Sequence, residues 1–198
     1  MADFAARRPR DNDNTGETKM RCAKEVLFTL LAGLLIPQAL FAVDAPELRV
    51  EHSIVIDAPP EQVWGVVSDF NGLPRWLPVI ESSRIILGKN REVGCIRELT
   101  RANGTKVQEK LIAYEPWNMS LSYTYIGGQP GASDYYPTMT VKDAGNGKSR
   151  VEWKARFRRL AYWTDDPPPG QDDATVLAAF NRVYPLGLQT LKELVEGQ

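Results

Sequence analysis

Residues that build metal sites and catalytic triads are scarce in this chain of 198 residues. It has one histidine, His52, and two cysteines, Cys22 and Cys95. A zinc site needs three or four ligands, mostly histidine and cysteine, and a Ser/His/Asp triad needs a histidine oriented by a partner. The sequence also shows no phosphate-binding loop and no dinucleotide fingerprint. We therefore expect no bound metal and no cofactor.

An excess of charge of one sign is also absent. The chain carries 24 Lys and Arg against 25 Asp and Glu, which gives a formal net charge of −1. A domain that binds nucleic acid would need a basic face. We therefore expect no nucleic-acid partner.

The N-terminal segment contains one apolar run, which is short for a membrane-spanning helix. The run over residues 26–36 is about half of the ~20 residues that a spanning helix needs. Arg21 and Lys24 precede this run, and Ala42 offers a small residue for cleavage, a pattern typical of a secretory signal peptide. We therefore predict a signal peptide over residues 20–42, with an uncleaved anchor as the alternative.

The predicted signal peptide separates two further segments of the chain. Residues 1–19 are polar and are predicted to be disordered, or to reflect a start placed too far upstream. Residues 43–198 are predicted to form an exported, periplasmic domain without a permanent membrane span. Cleavage would leave Cys95 as the lone cysteine, so no disulfide could form within the mature chain. At an inward strand position, Cys95 is expected to be a small buried apolar residue.

A strand, a double proline and a helix follow one another over residues 54–68. Ile54 and Ile56 alternate along the strand, and Pro59 breaks it. Pro60 suits the first helical turn, where its missing N–H is not needed. Three apolar residues then fall on one helical face: Val63, Trp64 and Val67.

Six further strands and a long helix are predicted beyond this opening. After a short second helix over residues 75–77, the strands cover residues 81–87, 94–100, 106–114, 120–126, 135–142 and 149–159. The long helix begins at Asp172–Asp173 and shows apolar residues at helical spacing as far as Val195, with a kink expected at Pro185. This order predicts an α+β fold, in which a curved antiparallel sheet of about seven strands wraps around the C-terminal helix.

The predicted strands alternate between two kinds of residue, so one face of the sheet should be covered and the other wet. His52 shares the inward parity of the first strand. The inward set on three later strands comprises Val107, Glu109, Leu111, Leu121, Tyr123, Tyr125, Val151, Trp153, Ala155 and Phe157. We expect this set to face the helix and any cavity beneath it.

The strand–Pro-Pro–helix opening resembles the helix-grip superfamily of SRPBCC proteins. This superfamily includes START-like and Bet v 1-like lipid binders and polyketide cyclase/dehydrase proteins. Residues 93–99 and 125–128 are also similar to segments of plant abscisic-acid receptors, which belong to the same superfamily. The likeness covers residues 48–196 and implies a fold built around a ligand cavity.

The receptor resemblance implies roles for several residues. Glu109, Tyr123 and Tyr135 fall on positions that line the hormone pocket, and Gly127–Gly128 falls on the latch turn. Three features depart from the receptors. A glutamate, Glu81, stands where a lysine anchors the hormone, the hairpin over residues 101–105 is shorter than the gate loop, and a glycine, Gly187, replaces an asparagine. A hormone receptor of that type is therefore not expected.

Arg97 and Glu109 form the most distinctive polar pair. A three-residue hairpin loop is expected to place Leu99 opposite Glu109, with Arg97 diagonally across. Both charges would face the cavity, where an unpaired charge costs on the order of several kcal/mol. We therefore predict an ion pair that fixes the sheet, lies at the wet rim of the cavity or orients a ligand.

A small apolar or amphipathic molecule is the predicted occupant of the cavity. The residues expected to contact it are Arg97, Leu99, Glu109, Leu111, Tyr123, Tyr125, Tyr135, Met139, Trp153, Phe180 and Tyr184. A second hypothesis is a cyclase, dehydratase or isomerase that confines its substrate and moves one proton. The candidate acid–base residues for that chemistry are Glu109, Tyr135 and His52.

A third hypothesis is an accessory role. Some exported bacterial proteins of the superfamily that this chain resembles are helpers of a periplasmic oxidation system, methanol oxidation. The resemblance therefore leaves open a periplasmic partner protein. The outward basic row of Arg156, Arg158 and Arg159 would then meet an acidic partner.

Overall fold

Seven antiparallel strands form one curved sheet around a long C-terminal helix in the computed structural model, which describes residues 45–197. The strands are β1 (Leu48–Ile56), β2 (Ile80–Leu87), β3 (Ile96–Arg101), β4 (Lys106–Glu115), β5 (Ser120–Gly128), β6 (Ser133–Gly145) and β7 (Lys148–Arg158). The helices are α1 (Pro60–Val67) and α2 (Asp173–Glu196), with one-turn 3-10 helices at Leu73–Arg75 and Pro116–Asn118. The predicted α+β fold, with two short helices after the first strand, is confirmed.

The sheet order is β1-β7-β6-β5-β4-β3-β2. Strands β2 to β7 pair with their chain neighbours, while β1 crosses over to pair with β7. Most strand boundaries shift by one to three residues from the predicted ones. The largest shift is in β6, which extends to Gly145, and β7 ends at Arg158 rather than one residue later. The predicted second helix lies two residues earlier than expected.

The double proline separates β1 from α1 as predicted. Pro59 is extended and caps the helix, and Pro60 occupies its first turn. The buried face of α1 stacks Trp64 on Tyr114 of β4, with ring centroids 5.7 Å apart. Helix α1 therefore closes one end of the curved sheet.

Helix α2 lies along the concave face of the sheet. Asp172 caps it, because its carboxylate accepts a hydrogen bond from the Thr175 N–H at 2.8 Å. The buried residues follow helical spacing: Val176, Tyr184, Gly187, Leu188, Leu191 and Val195. The helix continues without interruption through Pro185, and the bend that the sequence predicts there stays a prediction.

The predicted alternation of the sheet is confirmed. Nine members of the inward set are buried, and Tyr125 is half-buried. Their neighbours in sequence carry charged or hydroxyl side chains toward solvent, as at Lys110 and Lys154. The inner face of the sheet therefore supplies one wall of the core, and α2 supplies the other.

The register predicted for the β3–β4 hairpin is wrong by two residues. Leu99 pairs with Val107, and Arg97 lies directly opposite Glu109 rather than diagonally across. The loop closes earlier than expected, because the Arg101 N–H donates to the Thr105 carbonyl at 2.8 Å. Gly104 takes a φ of +80° in this loop, a conformation that favours glycine.

The signal peptide predicted over residues 20–42 and the segment 1–19 lie outside the described residues. From residue 45 to residue 197, no helix has both the length and the apolar character needed to cross a membrane.

Candidate functional site

A cavity of about 440 Å³ opens between the concave face of the sheet and α2. This volume lies within the range of roughly 300–1,000 Å³ that is usual for small-molecule sites. Its wall is mainly apolar and aromatic, and includes Leu73, Leu77, Leu99, Val107, Tyr123, Tyr125, Tyr135, Trp153, Val176, Ala179, Phe180, Val183 and Tyr184. The cavity that the fold implies is therefore present.

Tyr135 on β6 is the centre of an aromatic cluster in this wall. Its ring stacks on Tyr125 at 4.3 Å and on Phe180 of α2 at 5.1 Å between centroids. Its hydroxyl hydrogen-bonds the Tyr184 hydroxyl at 2.8 Å. Tyr184 in turn stacks on Trp153 of β7 at 3.9 Å. The cluster joins the helix to the sheet and gives the cavity flat apolar surfaces with a few hydroxyls.

Burial keeps the cavity tyrosines in their neutral form. It is the largest cause that raises the pKa of Tyr123, Tyr125, Tyr135 and Tyr184. The nearby charge of Glu109 raises the pKa of Tyr123 and Tyr125 further. These hydroxyls can therefore donate and accept hydrogen bonds, but they are poorly suited to act as proton-abstracting bases.

Arg97 and Glu109 form the predicted ion pair. The Arg97 Nε and Nη2 atoms lie 2.8 Å and 2.6 Å from Glu109 Oε2, and the two side chains are only 3% and 5% exposed. Arg97 also donates to the Phe70 carbonyl, and its guanidinium lies 3.9 Å from the centre of the Phe70 ring. Glu109 lines the cavity whereas Arg97 does not. The arginine therefore neutralises the carboxylate from behind the cavity wall.

Eight of the eleven predicted contact residues line the cavity: Leu99, Glu109, Tyr123, Tyr125, Tyr135, Trp153, Phe180 and Tyr184. Arg97, Leu111 and Met139 do not. Phe70 and Trp76 fill the end of the core where Arg97 and Met139 lie, and only a void of about 10 Å³ remains there. Leu111 is fully buried in β4, one inward position beyond Glu109.

The sequence model for polyketide cyclase/dehydrase and lipid transport proteins matches residues 47–196. The chain belongs to this family. Its resemblance to the helix-grip superfamily is thereby confirmed. The matched range contains both the strand–Pro-Pro–helix opening and the long C-terminal helix.

Similar proteins come from plants and bacteria. The abscisic acid receptor PYL6 of Arabidopsis thaliana is 24% identical over 144 residues, which cover 71% of this chain and 66% of the receptor, just under two thirds of its length. The solved structure of the protein XoxI from Bacillus cereus has 27% identity and a TM-score of 0.62, and covers 74% of this chain and 94% of XoxI. Ara h 8.0201, at 19% identity and a TM-score of 0.58, covers 77% of this chain and all of its own length, and it shows the likeness of the fold alone.

Two of the residues at which the sequence is expected to differ from the receptors, Glu81 and Gly187, can be located in the structure. Glu81 is exposed on β2 and is not part of the cavity wall. Gly187 is buried on α2, where an added Cβ would lie 2.7 Å from Leu77 Cδ1 and 3.1 Å from Trp153 Cζ3. A side chain at that position would therefore meet the wall residues at close range.

His52 and Cys95 lie outside the cavity wall. His52 is half-buried on β1, and its Nε2 hydrogen-bonds Asn181 Oδ1 of α2 at 2.8 Å. Cys95 is buried just before β3 rather than within it, and burial raises the pKa of its thiol. Across residues 45–197, no three His, Cys, Asp or Glu side chains cluster in a way that could hold a metal ion.

Sequence reasoning missed two arginines in the cavity wall, Arg101 and Arg182. Arg101 has the same parity on β3 as Arg97 and Leu99, so strand alternation could have identified it. Arg182 adjoins Val183, which belongs to the helical stripe that faces the sheet. The sequence contains no signal that tells whether a charged residue at this position lies at the rim of a cavity or on a solvent-exposed helix face.

Two arginines of the predicted outward basic row form ion pairs with acidic residues. Arg156 lies 3.4 Å from Glu47, and Arg158 lies 3.6 Å from Asp134. Arg159 does not belong to this row, because β7 ends one residue before it. It is buried and donates to the Ala161 and Thr164 carbonyls and to Asp173. The row therefore offers less unbalanced charge to an acidic partner than the sequence suggests.

Proposed function

We propose that this protein binds a small apolar or amphipathic molecule in the cavity between the sheet and α2. The observation that carries the proposal is the cavity of about 440 Å³, with its mainly apolar and aromatic wall. The description of the family names polyketides and lipids, whose chemistry suits such a wall. Each 100 Å² of apolar surface that leaves water contributes about 2.5 kcal/mol, before the cost of association.

A few polar groups would orient the ligand within this apolar site. Both Arg97 contacts with Glu109 are to Oε2, and no side chain in residues 45–197 donates to Oε1. That oxygen can accept a hydrogen bond from a ligand hydroxyl. The hydroxyl pair of Tyr135 and Tyr184 offers a further donor or acceptor. Such sparse, fixed polar groups are typical of sites that recognise mostly apolar ligands.

Binding is better supported than catalysis. Glu109 is held in an ion pair, the cavity tyrosines are kept neutral by burial, and His52 lies outside the cavity wall. A general base needs a position within hydrogen-bonding reach of the substrate. Of the three acid–base candidates, Glu109 and Tyr135 have that access, but each is already engaged by a partner.

Two neighbouring alanines on α2 provide a test of the cavity. Ala179 lines the cavity, while Ala178 is exposed. Replacing Ala179 by Phe fills cavity space, and replacing Ala178 by Phe adds the same side chain toward solvent. The probe is N-phenyl-1-naphthylamine, a neutral aromatic molecule whose fluorescence rises in apolar sites.

We expect the wild-type protein and Ala178→Phe to bind the probe with similar affinity, and Ala179→Phe to lose most of the binding. Circular dichroism of both variants verifies that the fold is kept. Absence of binding to the wild-type protein, or equal binding by both variants, would refute the proposed cavity site.

Export forms the second part of the proposal. It rests on the basic and apolar pattern of residues 20–42 and on the small residue at Ala42. N-terminal sequencing of the protein recovered from the periplasm of a bacterial host should find Val43 as the first residue. A chain recovered in the cytoplasm with residues 20–42 intact would contradict this part alone.

A further inference from the structure

Three charged side chains line the cavity, the cations Arg101 and Arg182 and the anion Glu109. Glu109 is the only carboxylate that the described residues contribute to this wall, and Arg97 neutralises it. The two remaining arginines are therefore not balanced by any carboxylate of the wall. The cavity carries an uncompensated positive charge although the whole chain is slightly acidic.

Arg101 is positioned but not neutralised. Its Nη1 donates to the Gln129 carbonyl at 2.7 Å and to Thr105 Oγ1 at 3.3 Å. Both acceptors are uncharged, and no carboxylate in residues 45–197 forms an ion pair with this guanidinium. These contacts hold the side chain at the end of β3 and leave other guanidinium N–H groups to donate.

Arg182 has even fewer contacts. It is exposed on α2, and its side chain makes no hydrogen bond or ion pair within the described part of the chain. Many surface cations do pair with acids, as Arg84 does with Glu98 and Lys192 with Glu196. An unpaired arginine on a cavity wall is therefore available to a ligand.

The polar part of the wall coincides with its opening. Asn103, Thr175 and Arg182 are exposed and Arg101 is half-buried, whereas most aromatic residues of the wall are buried. A bound molecule would place its apolar body against Tyr135 and its charged end near the arginines. Guanidinium groups favour carboxylate and other oxyanions, because their N–H groups match the planar oxygens.

We propose that the ligand is a small amphipathic organic acid, whose anionic head group is bound by Arg101 and Arg182 at the cavity opening. This inference rests on the proposed binding function and specifies the chemical class of its ligand.

Two matched probes separate the head group from the apolar body. N-phenyl-1-naphthylamine is neutral, and 8-anilinonaphthalene-1-sulfonate has the same ring skeleton with an added anionic sulfonate. Both are titrated by fluorescence into the purified wild-type protein and into Arg101→Gln, Arg101→Lys and Arg182→Gln. The control is Arg150→Gln, which removes an exposed arginine from the outer face of β7 and changes the net charge equally.

We expect Arg182→Gln and Arg101→Gln each to weaken sulfonate binding by about 3- to 10-fold, the effect of one charge-assisted hydrogen bond at a partly wet site. Binding of the neutral probe should change by less than about twofold, since it makes no ionic contact. Arg101→Lys keeps the charge but loses the paired N–H donors, so it should weaken sulfonate binding less than Arg101→Gln does. Arg150→Gln should keep all of the affinity. Added salt should weaken only the sulfonate probe.

The outcomes are distinguishable from failure of the proposed function. If the neutral probe binds but the glutamine variants leave sulfonate affinity unchanged, the head-group site is refuted and the cavity stands. Equal weakening of both probes would indicate a change of cavity shape and would also overturn the inference. If the wild-type protein binds neither probe, the proposed function itself fails.

Discussion

Arg97 and Glu109 face each other across β3 and β4 and form an ion pair that is almost completely buried. The carboxylate belongs to the cavity wall, while the guanidinium lies behind it, between the rings of Phe70 and Tyr123 at 3.9 Å and 5.1 Å. Arg97 thereby allows a carboxylate to remain in an apolar wall. The same ion pair therefore joins β3 to β4 and holds a polar group in the cavity wall.

Removing Arg97 should be strongly destabilising. Arg97→Met leaves the Glu109 carboxylate and the Phe70 carbonyl without their buried donor, and we expect the free energy of unfolding to fall by about 3–5 kcal/mol. The double variant Arg97→Met/Glu109→Leu should recover a large part of this loss, since it removes the unpaired charge as well. Urea unfolding followed by circular dichroism measures both changes.

The pair Arg84–Glu98 on β2 and β3 is the matched control. Its arginine side chain is 70% exposed, so Arg84→Met should change stability little. Similar losses from Arg84→Met and Arg97→Met would show that burial does not govern the strength of the pair.

The fold could be predicted because its signals are local and repeated. The double proline at 59–60, the alternation of β4, β5 and β7 and the helical spacing of α2 each depend on a short stretch of sequence. The hairpin register could not be fixed in this way. It depends on which residue closes the loop, and a shift of that closing pair moves every cross-strand partner, as at Leu99 and Val107.

The cavity wall could be predicted only in part. Strand parity identified Glu109, Tyr123 and Trp153, because a side chain's face follows from its position in the strand. Parity does not tell how far along the strand the empty space extends. Phe70 and Trp76 come from the segment after α1 and fill the end near Met139, which no strand pattern can reveal.

A comparison of Gly128 with Gly104 separates two costs of adding a side chain, a steric clash with a neighbouring strand and the strain of a positive φ. Both have a φ near +80°, but an added Cβ at Gly128 would lie 2.5 Å from the Lys106 carbonyl oxygen, whereas Gly104 has nothing within 4 Å. We expect Gly104→Ala to cost about 1 kcal/mol, the penalty of the left-handed conformation. Gly128→Ala should cost about 3 kcal/mol or more, because β4 and β5 must also separate.

Thermal and urea unfolding of the two alanine variants measure this difference. Equal costs would mean that β5 relaxes away from Lys106 without loss of pairing, and would contradict the close approach of the strands.

Stability should fall steeply at alkaline pH. Burial raises the pKa of Tyr123, Tyr125, Tyr135 and Tyr184 in the folded state, while the unfolded chain ionises its tyrosines near pH 10. Above about pH 10 the unfolded state therefore binds fewer protons, and the free energy of unfolding decreases. The contribution is fully present below that pH.

Urea unfolding at a series of pH values tests this dependence. Tyr135→Phe should reduce the alkaline slope by about 1.4 kcal/mol per pH unit, because one titrating group is removed. Leu111→Ala, which is destabilising but removes no titratable group, should lower stability without changing the slope. A slope that is unaffected by Tyr135→Phe would show that Tyr135 ionises equally in both states.

Arg159 should hold the proline-rich loop between β7 and α2 in place. It is buried and donates to the Ala161 and Thr164 carbonyls, and its Nη1 lies 3.0 Å from Asp173 Oδ1 in the first turn of α2. Arg159→Ala removes all three contacts at once. Because the loop continues to Gly170, which lines the cavity, its release should also loosen one edge of the binding site.

We expect Arg159→Ala to increase the rate of proteolytic cleavage within residues 161–171 and to accelerate dissociation of N-phenyl-1-naphthylamine. Arg156→Ala is the control, since Arg156 lies on the outer face of the same strand and contacts Glu47 and the Tyr136 ring instead. Limited proteolysis with mass spectrometry locates the cuts, and stopped-flow fluorescence gives the dissociation rate. Unchanged cleavage together with an unchanged dissociation rate would show that the loop is held by its prolines and not by Arg159.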